Sequence, residues 1–211
     1  MSKPTVLLDV DHTILDMTAL KSAEGSVIEA NYGLGSAKVF WEVYEKVRQE
    51  RGVFNVEQVA MRFAETISSE NYASAVSAFL EVDFNEFLFK GARELIDYLA
   101  ENSNLVIFTH GDDIFQRQKV EKLGLDKVSK KVVITESKKN ALPAILAEFN
   151  EPYFLIDDNA EVIAAVKGQN VPVTTILMTI DSHHNEGASV KPDFAAGDLF
   201  EVLDYLKRKF E

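Results

Sequence analysis

Cysteine is absent from the 211 residues, which removes thiolate nucleophiles, cysteine-ligated metal sites and disulfides from consideration. Positive charge is scarce: 22 Lys and Arg face 34 Asp and Glu, a formal net charge of −12. A chain with that field is repelled by nucleic acid and by anionic membrane surfaces, so neither is expected as a partner. Long apolar runs are missing too, and none approaches the roughly 18 residues of a membrane span. Met1-Ser2-Lys3-Pro4-Thr5 leads straight into a strand-like segment, so no secretory signal is expected and the reading is of a cytoplasmic protein. Repeats, low-complexity tracts and Pro/Gly/Ser-rich linkers are also wanting. What is there suffices for a core: 46% of residues are apolar and 27% charged, a globular balance. The length suits one compact domain with an insertion, or two small ones.

Five short apolar runs stand out: Val6–Leu8, Leu105–Phe108, Val132–Ile134, Tyr153–Ile156 and Val173–Met178. They are rich in β-branched and aromatic residues without polar alternation, the pattern of strands buried on both faces of a parallel sheet. Helical stretches separate the last four: Phe115–Leu123, Ala141–Phe149 and Glu161–Lys167. Such alternation predicts an α/β fold with right-handed crossovers. Almost a hundred residues without a convincing strand interrupt the rhythm after the first run. Ala37–Gln49, Val56–Ile67 and Tyr72–Leu80 read as helices there, and Gly91–Ala100 returns the chain to the sheet. The division predicted is a catalytic core of residues 1–15 and 88–211 and a helical cap of residues 16–87. Leu199–Phe210 is a final helix on the core.

Polar residues gather where the strands end, the rim at which open α/β sheets bind ligands. The first strand runs into Asp9-Val10-Asp11-His12-Thr13, the second into Thr109-His110-Gly111-Asp112, and the fourth into Asp157-Asp158-Asn159. Two carboxylates two residues apart in extended chain point to the same side. Ser137-Lys138-Lys139 precedes a helix near the third strand end. Several carboxylates crowded on one rim repel one another unless a hard cation joins them, and oxygen ligands suit Mg²⁺. Carboxylates, Mg²⁺, a lysine and a hydroxyl together make a site for phosphoryl transfer.

Asp9-Val10-Asp11-His12-Thr13 after an apolar strand resembles the first motif, Asp-x-Asp-x-Thr, of the haloacid dehalogenase-like superfamily. Thr109 resembles its second motif and Asp157-Asp158 its fourth. Thr109 to Asp112 followed by Gln116, Lys119, Leu123, Gly124 and Leu125 is similar to the segment after the second motif. The resemblance spans the chain and implies a three-layer, Rossmann-like α/β core with a mostly parallel sheet and an inserted helical cap. It also implies roles. Asp9 would be the nucleophile that forms an aspartyl-phosphate, and Asp11 the general acid and base. Asp9, the backbone carbonyl of Asp11, and Asp157 would hold Mg²⁺, with Asp158 acting through water. Thr109 and a lysine would bind the phosphoryl oxygens, helped by the backbone N–H groups of His12 and His110. Lys130, Lys131, Lys138 and Lys139 are candidates for that lysine; Ala141 and Leu142 at the apolar offsets favour Lys138. Dehalogenases and phosphonate-cleaving relatives lack an acid at the position of Asp11, so its presence implies phosphate esters. Lys90-Gly91 departs from the Pro-Gly common in relatives.

The expected activity is thus Mg²⁺-dependent hydrolysis of a small phosphorylated metabolite. A phosphomutase using the same residues, or a phosphate-binding or interaction module without turnover, are the alternatives. Competing structural roles exist for individual residues: Asp11 as a turn cap, Asp158 as a helix cap, Thr109 as an ordinary strand residue. Asp181 to Glu186, with His183 and His184, reads as a surface loop rather than a second metal site. Phe40, Trp41 and Tyr44 read as cap packing, and Gly25, Gly33 and Gly35 as hinges or turns.

Overall fold

The structure, a computed structural model, describes residues 3–51, 55–68, 75–77, 82–180 and 191–211. The segment at 181–186 lies outside them, as does the predicted helix at 72–80 except for 75–77, which are helical. Six strands form one sheet: β1 (Thr5–Leu8), β2 (Asn104–His110), β3 (Lys131–Thr135), β4 (Tyr153–Asp157), β5 (Val173–Met178) and β6 (Phe194–Ala196). Their order is β3-β2-β1-β4-β5-β6, with every pair parallel. β1 is therefore central, Leu8 lying level with Ile107 and Ile156. Parallel strands need crossovers, and helices supply them. They include α4 (Ala92–Asn102), α5 (Asp113–Lys122), α6 (Leu125–Val128), α7 (Lys138–Glu148) and α8 (Ala160–Lys167), while α9 (Leu199–Phe210) follows the last strand.

Alternation of side chains builds three layers. Val6, Leu8, Ile107 and Ile156 join a core with α4 and α9, whereas Leu7, Val106, Phe108 and Leu155 join another with α7 and α8. Burial on both faces holds for the central strands but not for β3, whose residues are only half-buried because it forms the sheet edge. β6 is a strand that the sequence reading missed; three residues at an edge leave almost no pattern.

Between β1 and β2 stand α1 (Met17–Tyr32), α2 (Ser36–Arg51) and α3 (Val56–Thr66), followed by a short 3₁₀ turn at Phe84–Phe87. The side chain of Asp16 caps α1 on Ala19 N–H at 2.9 Å, and Asn55 caps α3 on Gln58 N–H at 2.9 Å. Gly33 and Gly35, at φ of +94° and +88°, make the turn between α1 and α2, a conformation costly for other residues. Gly25 is no hinge: it sits inside α1, where an added Cβ would meet Trp41 Nε1 at 3.2 Å. Phe40 and Phe63, edge to face at 5.3 Å, fill the space among these helices. The connections entering and leaving this unit pair with each other: Leu15 bridges Leu88, and Asp16 N–H donates to Phe87 carbonyl at 2.8 Å.

Candidate active site

Asp9 N–H donates to the Ile156 carbonyl at 3.0 Å. The β1–β4 ladder thus runs one residue past β1 and carries Asp9 up to Asp157, the last residue of β4. Asp158 follows Asp157 directly. Carboxylate oxygens of Asp9, Asp157 and Asp158 all lie within 4.8 Å of one another. From the side, α7 presents Lys138 in its first turn, after Ser137 as N-cap. Its Nζ is 2.8 Å from Asp9 Oδ1 and 2.7 Å from Asp157 Oδ2. Lys139 is exposed, while Lys131 pairs with Glu148 across the surface. The geometry thereby separates the lysine candidates in favour of Lys138. Pro143 inside α7 leaves the Lys139 carbonyl without its helical donor. Gln169 Nε2 supplies one at 2.8 Å.

Asp11 faces a different cation. Lys119, fully buried on α5, sets Nζ at 2.6 Å from Asp11 Oδ2, and Gln116 Nε2 donates to the same oxygen at 2.8 Å. Gln116 also donates to the His110 carbonyl at 3.0 Å and accepts from Thr109 Oγ1 at 3.2 Å. A Cβ on Gly111 would come within 2.9 Å of Gln116 Nε2, so only glycine lets that side chain cross to Asp11. Gln116 and Lys119 stand in the sequence one turn apart, as helix neighbours sharing a face do. That spacing places them on one face of α5 but does not point to Asp11, 105 and 108 positions away.

Electrostatics follow from this crowding. Burial raises Asp9 to about 6; Lys138 opposes the rise and Asp157 adds to it. Asp158 is pushed up to about 8 by burial, then by Asp9 and Asp157. Burial works against the charge of Lys138, but Asp157 and Asp9 outweigh it and raise its pKa. For Asp11, burial would raise the pKa, yet the ion pair and hydrogen bond with Lys119 prevail and lower it. Three mutually repelling buried carboxylates fit a hard divalent cation, which takes one or two of them and fills its other positions with water and phosphate oxygens.

A cavity of about 480 Å³ opens over these groups. Asp9, Asp11, Lys138, Asp157, Asp158 and His110 all line it. Thr109 does not: it is fully buried, with its hydroxyl on Gln116. His12, in the left-handed region at φ of +57°, gives its backbone N–H to the Leu15 carbonyl at 2.9 Å, so that N–H is committed within the turn. Asp158 does not cap α8, because Asn159 does, accepting from Glu161 N–H at 2.8 Å. Instead Thr13 Oγ1 donates to Asp158 Oδ1 at 3.4 Å. Phe40 and Trp41 pack edge to face at 5.3 Å as expected, whereas Tyr44 reaches the cavity. Glu24 escaped the sequence reading. It is buried on α1 with neither carboxylate oxygen hydrogen-bonded, and burial raises its pKa well above the ordinary value.

No family model matches the chain, and no curated protein matches it in sequence. Solved structures do resemble it. A haloacid dehalogenase-like protein of Burkholderia xenovorans LB400 aligns with a TM-score of 0.84 at 20% identity, covering 100% of this chain and 99% of that one. The HAD-type protein YfnB of Bacillus subtilis, in a form bound to magnesium, gives 0.67 at 18% identity over 98% and 99%. The L-2-haloacid dehalogenase of Xanthobacter autotrophicus, with chloropropionic acid covalently bound, gives 0.64 at 13% identity over 98% and 99%. The chain has the haloacid dehalogenase-like fold.

Proposed function

We propose that this protein is a Mg²⁺-dependent phosphatase acting on a small phosphate monoester. One observation carries the reading: a buried trio of carboxylates, Asp9, Asp157 and Asp158, lies beside a further acid, Asp11, in the same cavity. Asp9, Asp157 and Asp158 would hold the ion together with the Asp11 carbonyl, and the bound ion would supply charge stabilisation for phosphoryl oxygens. An Asp9 carboxylate oxygen attacks phosphorus as the bond to the leaving oxygen breaks, and that oxygen takes a proton from Asp11. Water then attacks phosphorus and gives its proton back to Asp11, releasing phosphate and restoring Asp9. Lys138 offers its ammonium to the phosphoryl oxygens, and His110 borders them from the end of β2. Asp11 enters the first step protonated, against the pull of Lys119; once it has given up that proton, the ion pair with Lys119 stabilises the ionised form that accepts one from water. Residues 16–87 act as a cap that excludes bulk water from the reaction.

A dehalogenase has no use for an acid that protonates a leaving alkoxide, because halide leaves unprotonated. Asp11 therefore favours the phosphate ester. The test is release of p-nitrophenol from p-nitrophenyl phosphate. Turnover is expected with Mg²⁺, its loss with chelator, and a fall of about 10³-fold or more in Asp9→Asn. Activity that survives both treatments rejects the proposal, and so does release of halide from a 2-haloacid by the wild type.

A further inference from the structure

The two walls of the cavity differ in charge. Among the described residues that line it, every carboxylate comes from the sheet side, from Asp9 to Glu161. The side formed by α1 and α2 contributes Met17, Lys21, Tyr44 and Arg48, two cations and no acid. In a chain of net charge −12, such segregation runs against the overall composition.

Lys21 is held in an unusual way. Its Nζ lies 5.1 Å from the Tyr44 ring centroid and 6.0 Å from that of Trp41. Aromatic faces attract an ammonium without consuming its N–H donors. Among the described residues Lys21 forms no ion pair, whereas Lys138 and Lys119 are both committed to carboxylates. Arg48, one helical turn beyond Tyr44, gives Nε and Nη2 to Glu45 at 3.1 and 2.9 Å. Nη1 takes no part in that pair, and the fork geometry of a guanidinium suits a carboxylate or phosphate.

We propose that Lys21 and Arg48 form a second anion subsite on the cap wall, so that the substrate is a phosphate monoester whose leaving group carries another anionic group, a carboxylate or a second phosphate. This rests on the phosphatase reading and specifies its substrate class. The phosphoryl group meets the metal and Lys138 on the sheet side, while the far end of the leaving group meets the cap cations. A volume of about 480 Å³ falls in the range of small-molecule sites, about 300–1,000 Å³, and holds a metabolite bearing both groups.

The metal-loaded protein is assayed on phosphoglycolate, on propane-1,3-diol bisphosphate and on glycerol 3-phosphate, whose leaving group is neutral. At least one of the first two is expected to exceed glycerol 3-phosphate in kcat/KM by about tenfold or more, the worth of one charge-assisted hydrogen bond. Which of the two wins assigns carboxylate or phosphate. Lys21→Met should erase that preference, Lys21→Arg should retain it, and Lys46→Met on the exposed side of α2 should leave it intact. Equal handling of charged and neutral esters by the wild type overturns the subsite, as does a uniform loss in Lys21→Met. Continued p-nitrophenyl phosphate hydrolysis in that event leaves the phosphatase reading standing. Calorimetric titration of Asp9→Asn with phosphoglycolate tests the subsite without turnover. Adding Lys21→Met should weaken binding about tenfold, and unchanged affinity overturns it even if no ester is hydrolysed.

Discussion

Glu24 is the residue that stability alone would not place where it is. A buried carboxyl group without a hydrogen bond costs about 1–3 kcal/mol, and its surroundings keep it protonated well above the ordinary range. Linkage fixes the sign. In the unfolded chain Glu24 ionises freely above about pH 4.5, while in the folded chain it resists, so folding loses stability as pH rises from there toward neutrality. Glu24→Met removes the carboxyl at similar length. The variant should be more stable than wild type by about 1–3 kcal/mol at pH 7, with the gap narrowing toward pH 4, as read by urea denaturation. A less stable variant, or a gap that ignores pH, contradicts this account. The contrast with Asp9 shows what a sequence exposes. Asp9 interrupts an apolar strand and so announces itself, whereas Glu24 sits among Ala, Ser and Gly in a helix with no clean stripe, where a buried acid looks like a surface one.

At the level of elements, the site depends on helix starts: Lys138 opens α7 after Ser137, Asp112 caps α5 and Asn55 caps α3. Asn55 does two jobs, since its Nδ2 also donates to Asp112 Oδ2 at 3.2 Å, tying α3 to the rim of the cavity. Asn55→Ala should lower stability by about 1–2 kcal/mol, visible as a reduced melting temperature. Asn55→Asp retains a capping oxygen but brings two carboxylates together in place of the bridge. It should therefore also destabilise, and the loss should shrink with added salt. An unaltered melting temperature in both would mean that the tie is not formed in solution. Strands β1, β2, β4 and β5 are legible because burial on both faces leaves continuous apolar runs. α1 is not, and Asp11 shows a subtler limit. Its acid is plain in the sequence, but the ion pair with Lys119 spans 108 positions and emerges only when α5 crosses back over the sheet.

Across the whole molecule, folding itself assembles the acidic trio, since Asp9 and Asp157 come from distant parts of the chain and meet only because β1 and β4 are neighbours. Whatever binds that trio binds the folded state and stabilises it by mass action, about 2.7 kcal/mol at a hundredfold excess over the dissociation constant. Protons compete for the same oxygens. With Asp9 raised to about 6 and Asp158 to about 8, the apo protein loses stability as pH rises from about 4 to 8, because the unfolded chain ionises these acids first. On the proposed function, Mg²⁺ bound at the trio would restore what that ionisation costs, and at low pH it would have to displace protons to bind. The rise in melting temperature on adding Mg²⁺ should therefore be largest near pH 8, diminish through pH 6 and vanish by pH 4. Asp157→Asn, which removes a carboxylate and leaves the sheet register untouched, should abolish the rise at every pH. A Mg²⁺ effect equal at pH 5 and pH 8, or one that persists in Asp157→Asn, would place the ion elsewhere on this acidic molecule.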